Sequence, residues 1–438
     1  MPYFNYDLYF WIILGSSLVA LVFLATFSIY YLFFWSISGK KVPEVPHNNA
    51  FTKFAILIAA RNESKVIRNI LNSLKDQTYP SEYFDVWLIV EDIADPTVEI
   101  AKEFGYHYFV RDRLTSDRRT KGFALQECID YFKRENIKYD SYMIFDADNV
   151  VDKRFVEVMN DLRGQNVMVG VGNRCFTNAD ENIWTADSAI MFTYMNQVTS
   201  RGRTALFHKA TLMGTGYYVD ASIIEEAGGW IFTGMTEDIQ LTTYCYYHDI
   251  NMRFYPLVNF YDEQSPKYKV NHTQHLRWIY GYFERRKYIK KAGISRDYHT
   301  KSMQRFMKFE FNCGLIPFAV FCVYSFIIGI LCLVFGAFAV TYKHYNEATG
   351  IFILAGWQFF IVWLVFVIPA ILVIYRHNDT MKLSKKNIFL AVITYFFYFS
   401  DFVLAIIDGF FHPSKRTNWK PIEHTGDIID KSAKEVSK

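Results

Sequence analysis

The sequence predicts an α/β domain with a parallel sheet, joined to α-helical transmembrane and interfacial helices. Of the 438 residues, 51% are hydrophobic and 18% are aromatic, yet the mean hydropathy is only +0.04, so the apolar residues must be concentrated in blocks. Long apolar blocks flank a central stretch, 51–266, in which apolar runs of strand length alternate with helical patterns. That alternation is typical of a parallel sheet covered by helices, and apolar blocks of about 20 residues are typical of membrane spans.

Charge and cysteine content exclude several classes of protein. The formal net charge of +3 is too balanced for a nucleic-acid-binding surface, so no nucleic-acid partner is expected. The composition also excludes a disordered chain and a disulfide scaffold. The six cysteines show no metal-ligand spacing, and we expect them to be reduced and structural. They are Cys128, Cys175, Cys245, Cys313, Cys322 and Cys332.

The first apolar block, within residues 1–41, predicts one N-terminal transmembrane helix. No charged residue occurs from Leu8 to Gly39, a length that spans a bilayer once with some tilt. The block lacks a basic start and a small-residue cleavage site, so a removable signal peptide is not expected. Because Lys40 and Lys41 follow directly, this end is expected on the cytoplasmic side and the N-terminus outside.

The central stretch, 51–266, predicts the strands and helices of the α/β domain. Buried strands are expected at Phe54–Ala59, Val86–Val90, Tyr106–Val110, Tyr142–Phe145 and Val167–Val171. Helices are expected at 64–76, 95–104, 118–135 and 152–163. In a sheet of this kind, ligands bind at the carboxyl ends of the strands.

The trailing apolar blocks predict further membrane helices. Segment 311–375 predicts two transmembrane helices, and the basic stretch that follows them is expected inside. The block 388–411 is ambiguous, because a fourth span would place the basic tail, 412–438, outside. Asp401 and Asp408 would also be costly at the bilayer centre. An interfacial or re-entrant helix is therefore favoured over a fourth span.

A pair of carboxylates, Asp146 and Asp148, directly follows the predicted strand YMIF. At positions i and i+2 on a turn, both can reach one divalent cation. A hard ion such as Mg²⁺ or Mn²⁺ takes oxygen ligands of this kind and shares its other positions with phosphate oxygens. The alternative interpretation is a helix cap or polar turn before Asn149.

A second acidic cluster, Thr236-Glu237-Asp238, opens a helical pattern. One interpretation is a general base, because a carboxylate at a helix start can accept a proton from a hydroxyl. The other is a capping residue followed by acids that interact favourably with the helix dipole.

A predicted interfacial helix, 267–300, carries the third motif. Gln274, Arg277, Trp278 and Gly281 recur at helical spacing and share one face. That face suits a phosphate clamp beside a ring-stacking platform. The alternative is an amphipathic helix with aromatic and basic anchors at the membrane, and both interpretations can hold together.

Six short motifs occur in a fixed order along the chain. They are AARNES at 59–64, Glu91-Asp92, RRTKGFAL at 118–125, DAD at 146–148, TED at 236–238 and QHLRW at 274–278. The ordered set resembles the family-2 membrane glycosyltransferases, the group of cellulose, hyaluronan, chitin and poly-N-acetylglucosamine synthases. The resemblance implies a GT-A domain with a Rossmann-like parallel sheet. It also implies a multi-pass protein of the plasma (inner) membrane whose catalytic domain is cytoplasmic.

The resemblance implies a donor site for a UDP-sugar, with UDP-glucose and UDP-N-acetylglucosamine as the leading candidates. Glu91-Asp92 departs from the Asp-Asp that is commoner in the family. The implied donor residues are Ala60, Glu63 and Asp92 for the nucleotide, Lys121 for the diphosphate or sugar, and Asp146 and Asp148 for the metal and diphosphate.

The resemblance also implies catalytic and acceptor residues. Asp238 is the implied base, and Trp419-Lys420 resembles a gating loop that covers the donor. His275 stands where the family usually has Gln or Arg. The residues implied on the acceptor side are Gln274, Arg277, Trp278, Gly214, Thr215, Gly216 and Glu237.

These roles predict an inverting, metal-dependent transfer of sugar to a growing β-linked polysaccharide that is exported across the plasma membrane. Only one base is implied and no second carboxylate serves as a nucleophile, which favours a single displacement. The expected partners are the UDP-sugar, the nascent polysaccharide, membrane lipids, and a homo-oligomeric or export partner. Two alternatives stay open: transfer of one sugar to a membrane lipid acceptor, and a non-catalytic membrane UDP-sugar sensor.

Overall fold

The computed structural model describes residues 6–111, 119–291 and 315–412. Its centre is an eight-stranded sheet in the order β3-β2-β1-β4-β7-β6-β8-β5. All five predicted strands are present, whereas β5, β7 and β8 were not predicted. The strands are β1 Phe54–Ala59, β2 Phe84–Val90, β3 His107–Val110, β4 Ser141–Asp146, β5 Val150–Val151, β6 Val169–Phe176, β7 Tyr217–Asp220 and β8 Met252–Asp262.

The sheet has a parallel half and a mixed half. Strands β3, β2, β1 and β4 pair in parallel, so their carboxyl ends meet at one edge. The short strand β7 then lies antiparallel between β4 and β6, and β8 runs parallel to β6. The predicted α/β GT-A fold class is confirmed, but the sheet is mixed rather than wholly parallel, because β7 runs against both of its neighbours and β5 pairs antiparallel with β8.

Thirteen α-helices can be delimited within the described residues. They are α1 Tyr6–Ser38, α2 Ile67–Lys75, α3 Pro96–Phe104, α4 Lys121–Arg134, α5 Phe155–Gly164, α6 Ile183–Met195, α7 Gly202–Phe207, α8 Ala221–Glu226, α9 Glu237–Tyr247, α10 Tyr268–Lys291, α11 Leu315–Thr341, α12 Tyr345–Met381 and α13 Lys385–Phe411. The predicted helix at 118–135 begins at Lys121, because the Thr120 hydroxyl caps it by accepting a hydrogen bond from the Phe123 N–H.

Helices cover both faces of the sheet. In β1, Leu57 belongs to the core cluster that contains Leu125 of α4, whereas its neighbours Ile56 and Ile58 belong to the cluster on the other face. Helix α2 buries a stripe on that second face at helical spacing, formed by Ile67, Ile70, Leu71 and Leu74. Burying each such side chain contributes about 1.5–3 kcal/mol, so the two clusters hold the sheet between its helices.

Four helices among the described residues are long and apolar enough to cross a membrane: α1, α11, α12 and α13. Helix α12 continues to Met381, six residues beyond the predicted end of its span. There, the Arg376 guanidinium lies 4.4 Å from the centre of the Trp35 ring and donates a hydrogen bond to Ser38 Oγ, which joins α12 to the end of α1. Whether α13 spans the membrane or lies at its surface stays a prediction.

The α/β domain joins the long helices through an aromatic and aliphatic cluster. Helix α6 contributes Ile190, α1 contributes Phe34 and Trp35, and α13 contributes Tyr395 and Tyr398. All five side chains are buried. Helices α1, α12 and α13 therefore pack directly on the α/β domain, and all three contribute to the cluster that contains α6.

Gly216, directly before β7, leaves room for the Phe260 ring of β8. Its φ is +71°, and a Cβ atom there would lie 2.1 Å from a carbon of the Phe260 ring. Gly105, at the end of α3, has a φ of +70°, but no atom lies within 4 Å of the place where its Cβ atom would be. Both Gly216→Ala and Gly105→Ala incur the backbone strain, but only the first adds a steric clash.

We therefore expect Gly216→Ala to destabilise the protein by about 1–3 kcal/mol more than Gly105→Ala does. The apparent midpoints of thermal unfolding of the two purified variants, compared with wild type, measure this difference. Equal midpoints for the two variants would contradict the packing of Phe260 against Gly216.

Candidate functional site

A cavity of about 1330 Å³ opens at the carboxyl ends of the parallel strands. Polar side chains from several elements line it at this edge. They include Glu63, Glu91, Arg111, Arg119, Lys121, Asp146, Asp148, Arg174, Glu237, Asp238, Asp262, Gln274 and Arg277. The DAD, TED and QHLRW motifs, which lie far apart in the sequence, thus share one cavity.

Asp146 is the last residue of β4, and the turn after it is held by hydrogen bonds. Its N–H donates to Asn149 Oδ1 at 3.1 Å and to Thr215 Oγ1 at 2.9 Å, and Asn149 is fully buried. These bonds fix the turn so that Asp146 and Asp148 both line the cavity. Two carboxylates, two residues apart in the sequence, are therefore part of the cavity wall.

Lys121 connects this turn to α4. Its ammonium donates to Asp146 Oδ1 and, at 2.8 Å, to the Gly214 carbonyl. Burial disfavours the charged form, but Asp146 and other nearby carboxylates outweigh it and raise the pKa of the Lys121 ammonium above its ordinary value. Lys121 therefore stays positively charged beside the acidic turn.

Glu237 and Asp238 are the first two residues of α9, and both line the cavity. The preceding Thr236 makes no side-chain capping bond. Burial raises the pKa of both carboxyls above their ordinary values, and the neighbouring Asp238 raises that of Glu237 further. A carboxylate with a raised pKa holds a proton more readily, which suits a base that must accept one.

Helix α10 brings Gln274, Arg277 and Trp278 to the cavity. It can approach α9 closely because Gly281 has no side chain. A Cβ atom at this position would lie only 2.4 Å from Thr236 Cγ2 and would clash with it. Burial lowers the pKa of the Arg277 guanidinium below its ordinary value, although Glu237 and other carboxylates oppose this shift. The predicted face of α10 is therefore divided, with three residues at the cavity and Gly281 at the contact with α9.

Trp278 lines the cavity and is partly buried between two other elements. Its ring meets Phe192 of α6 edge to face, with ring centres 5.6 Å apart, and is stacked with Phe402 of α13 at 6.4 Å. These contacts fix the plane of the indole. Such a fixed ring can support a sugar or another apolar surface.

At the opposite end of the cavity, the structure separates the two residues of the Glu91-Asp92 motif. Glu91 lines the cavity, together with Ala60 and Glu63, and forms ion pairs with Arg61 at 3.1 Å and Arg111 at 3.4 Å. Asp92 is exposed, is not among the residues that line the cavity, and accepts a hydrogen bond from the Ala94 N–H. The assignment of Asp92 to the nucleotide stays a prediction, with Glu91 the better-placed carboxylate.

The predicted acceptor loop, Gly214-Thr215-Gly216, is also divided by the structure. Gly214 lines the cavity, whereas Thr215 is buried beneath the Asp146 turn and Gly216 packs against Phe260. Thr215 and Gly216 therefore shape the site from below rather than line it. The predicted gating residues, Trp419 and Lys420, lie outside the described residues.

A buried polar network at the site was missed by the sequence analysis. Arg174 donates to Asp262 Oδ2 at 2.6 Å and to the Met213 carbonyl at 3.1 Å, and Gln264 donates to the same carboxylate oxygen. Arg174 belongs to β6, beyond its predicted end at Val171, and Asp262 belongs to β8, a strand that was not predicted. No sequence motif marks these residues, because the pairing of β6 with β8 is what brings them together.

The cavity extends from the polar site into a groove between the long helices, here called the apolar groove. Of the described residues that line it from α11, α12 and α13, all but Ser400 are apolar. These residues are Val320, Cys322, Val323, Phe326, Ile327, Ile330, Val362, Phe366, Phe396, Phe397, Phe399, Ser400, Phe402, Val403, Leu404, Ile406 and Ile407. One continuous cavity thus joins a charged site to a hydrocarbon-like surface.

Comparison with known proteins agrees with this geometry. A relative from Bacillus subtilis (strain 168), described as a probable glycosyltransferase, YdaM, is 24% identical over 394 residues, which cover 88% of this chain and 86% of that protein. A β-monoglucosyldiacylglycerol synthase from Trichormus variabilis is 29% identical over 244 residues, or 53% of this chain. This chain spans about half of the synthase, since the match covers 49% of its length.

One solved structure is also matched, at low sequence identity. The mannosyltransferase PcManGT from Pyrobaculum calidifontis, in complex with GDP-Man and Mn²⁺, has a TM-score of 0.48 and 13% identity, over 78% of this chain and 98% of that chain. The model of the family described as "Glycosyltransferase like family 2" matches residues 52–281. That match covers more than half of the chain, from just before β1 into α10, and includes all six motifs. The chain therefore belongs to glycosyltransferase family 2.

Proposed function

We propose that this glycosyltransferase transfers one sugar, with inversion, from a UDP-sugar to the hydroxyl of a membrane lipid. The observation that carries the proposal is the continuity of the charged site with the apolar groove. A lipid can place its head group near Asp238 and its hydrocarbon chains between α11, α12 and α13. The similarity to a β-monoglucosyldiacylglycerol synthase supports this choice of acceptor.

The sequence motifs favour a growing polysaccharide as the acceptor, whereas the groove favours a lipid. Sugar hydroxyls need hydrogen-bond partners when they leave water, and each unpaired group is costly. Apart from Ser400, the groove residues that belong to the long helices offer no polar side chain other than the Cys322 thiol, a weak donor. Hydrocarbon chains need no hydrogen-bond partner, and on entering such a groove from the bilayer they exchange one apolar environment for another. The alternative result is synthesis of a polymer, assisted by an export partner or a second copy of the chain, and the identity of the product distinguishes the two.

The proposed chemistry assigns one task to each charged group. Asp238 accepts the proton of the lipid hydroxyl as the new glycosidic bond forms on the face opposite the leaving UDP. Arg277 stabilises the negative charge that develops on the departing diphosphate, and Trp278 supports the acceptor. A sensor without catalysis would need neither the base nor the clamp.

The residues present fit a divalent cation. Asp146 and Asp148 line the cavity from one turn, their carboxylate oxygens are hard ligands, and the Lys121 ammonium beside Asp146 shows that this position accepts positive charge. We assign Mg²⁺ or Mn²⁺ to these two carboxylates. When bound, the ion supplies positive charge that helps the diphosphate to leave.

The donor is proposed to lie between Glu91 and Lys121. Ala60 and Glu63 line the nucleotide end, and Lys121 marks the diphosphate end. UDP-glucose and UDP-N-acetylglucosamine are the donors to test first.

We propose that the α/β domain lies on the cytoplasmic side of the plasma membrane, with the N-terminus outside. The basic residues at the ends of α1 and α12 lie on the same side as the domain, and basic residues favour the cytoplasmic side.

Filling the apolar groove is expected to impair the use of the lipid. Val323 lines the groove, whereas Val334 on the same helix is exposed and does not line it. Val323→Trp should raise the KM for the lipid acceptor about 5- to 100-fold, since overpacking costs about 1–3 kcal/mol. The affinity for the UDP-sugar should stay within about twofold of wild type, because the donor binds at the polar end.

The matched control is Val334→Trp, which places the same side chain on the same helix outside the groove and should retain the wild-type KM. The measurement is the initial rate of transfer at varied lipid concentration in mixed micelles. An unchanged lipid KM in Val323→Trp, or an equal rise in both variants, would contradict the placement of the acceptor in the groove.

A further inference from the structure

A buried carboxylate joins the motif helix α10 to the groove helix α13. Asp401 of α13 is only 2% exposed. Three side chains of α10 contact it: Tyr268 Oη donates to Oδ1 at 2.8 Å, His272 Nδ1 lies 2.7 Å from Oδ1, and His275 Nδ1 lies 2.6 Å from Oδ2. One carboxylate thus receives three short polar contacts from two successive turns of the neighbouring helix.

His275 is the most enclosed member of this cluster. It is 1% exposed, its Nε2 lies 3.2 Å from Tyr398 Oη, and its ring is stacked on Phe402 with ring centres 4.0 Å apart. Both contacts come from α13, as does the contact with Asp401. His275 therefore faces α13, while Gln274, Arg277 and Trp278 of the same motif line the cavity.

The helix that receives these contacts also forms a wall of the apolar groove. Phe399, Phe402, Val403 and Ile406 of α13 line the groove and lie within five residues of Asp401. Apolar packing is non-directional, so it alone would tolerate a slide or rotation of α13 along α10. A buried carboxylate with several hydrogen-bond partners is directional and costly to disrupt, so it selects one register.

We propose that His275 and Asp401 are acceptor-positioning residues. They fix the register of α13 against α10, so that a lipid in the groove presents its hydroxyl to Asp238 and its head group to Trp278. The proposal rests on the lipid acceptor proposed above. It gives one reason both for a histidine at this position of the QHLRW motif and for an aspartate in an otherwise apolar helix.

The test compares variants that remove the contact between His275 and Asp401 with a variant that keeps a hydrogen-bond donor at position 275. His275→Ala and Asp401→Ala should each raise the KM for the lipid acceptor about 10- to 100-fold. Donor binding, measured as the Kd for UDP, should stay within about twofold. His275→Asn, whose amide can replace the Nδ1–H donor, should restore most of the affinity for the lipid. Because the two residues act as one contact, the double alanine variant should be little worse than either single variant.

The control is Thr394→Val on the same helix. The Thr394 hydroxyl donates to the Leu390 carbonyl of its own helix and Thr394 does not line the cavity, so the lipid KM should stay within about twofold of wild type. Additive effects of His275→Ala and Asp401→Ala would overturn the proposal. So would an equal loss of donor and acceptor affinity, or no rescue by Asn. If wild type transfers no sugar to lipid, the proposed function itself fails, which is a separate result.

Discussion

Asp238→Asn is expected to lower the rate of sugar transfer by at least about 10²–10⁴-fold, the typical contribution of a positioned base. Asparagine keeps the size of the side chain and its place at the start of α9 but cannot accept the acceptor's proton. The Kd for UDP should stay within about twofold, because Asp238 acts on the acceptor. The measurement is kcat from released UDP, together with the Kd for UDP by calorimetry.

Glu237→Gln is the matched control, because Glu237 adjoins Asp238 in the same cavity. It is expected to reduce transfer less than Asp238→Asn does. Wild-type rates in Asp238→Asn, or a larger loss in Glu237→Gln, would contradict the assignment of the base.

The pH dependence follows from the direction of the same pKa. Burial raises the pKa of Asp238, and only the deprotonated form can act as a base. Activity should therefore be present above this raised pKa and should fall as the pH drops through it. In the pH profile of kcat/KM, the midpoint of the acidic limb should lie above the ordinary pKa of aspartate, about 3.9.

Arg277→Ala is expected to have the second-largest effect, a loss in kcat of roughly 10²–10³-fold, as when one charge-stabilising donor is removed from an active site. Arg277 is the cation of α10 that lines the cavity near Glu237 and Asp146. Without it, the charge that develops on the diphosphate loses a planar donor.

Arg277→Lys separates charge from geometry in the same assay. Lysine keeps the positive charge but not the forked donor, so it should restore only part of the lost rate. The measurement is single-turnover transfer with donor and lipid both saturating. A wild-type rate in Arg277→Ala would contradict the role of Arg277 at the leaving group.

Local sequence was sufficient for the parallel half of the fold. Strands β1, β2 and β4 each contain a continuous apolar run, and their carboxyl ends place the DAD turn at the ligand-binding edge. Strand β7 has only four residues, and its antiparallel position depends on contacts with β4 and β6, which are distant in the sequence. Long-range pairing of this kind leaves no periodic signal in one short segment.

The site shows the same limit at the level of single residues. Asp146, Asp238 and Arg277 carry distinctive chemistry and were predicted to act together, and the cavity does contain all three. The choice between Glu91 and Asp92 depends on where β2 ends, which the sequence alone does not determine to one residue. Likewise, the partner of His275 is 126 residues away, so its contact with Asp401 could be found only from the structure.

The chemical nature of the product tests the central proposal most directly. Purified protein in lipid nanodiscs, with Mg²⁺ or Mn²⁺ and radiolabelled UDP-glucose or UDP-N-acetylglucosamine, should transfer label to a lipid. The expected product partitions into organic solvent and carries one sugar, which a β-specific glycosidase releases. Label in a water-soluble polymer of high molecular weight, with none in lipid, would contradict a lipid acceptor and support polysaccharide synthesis instead.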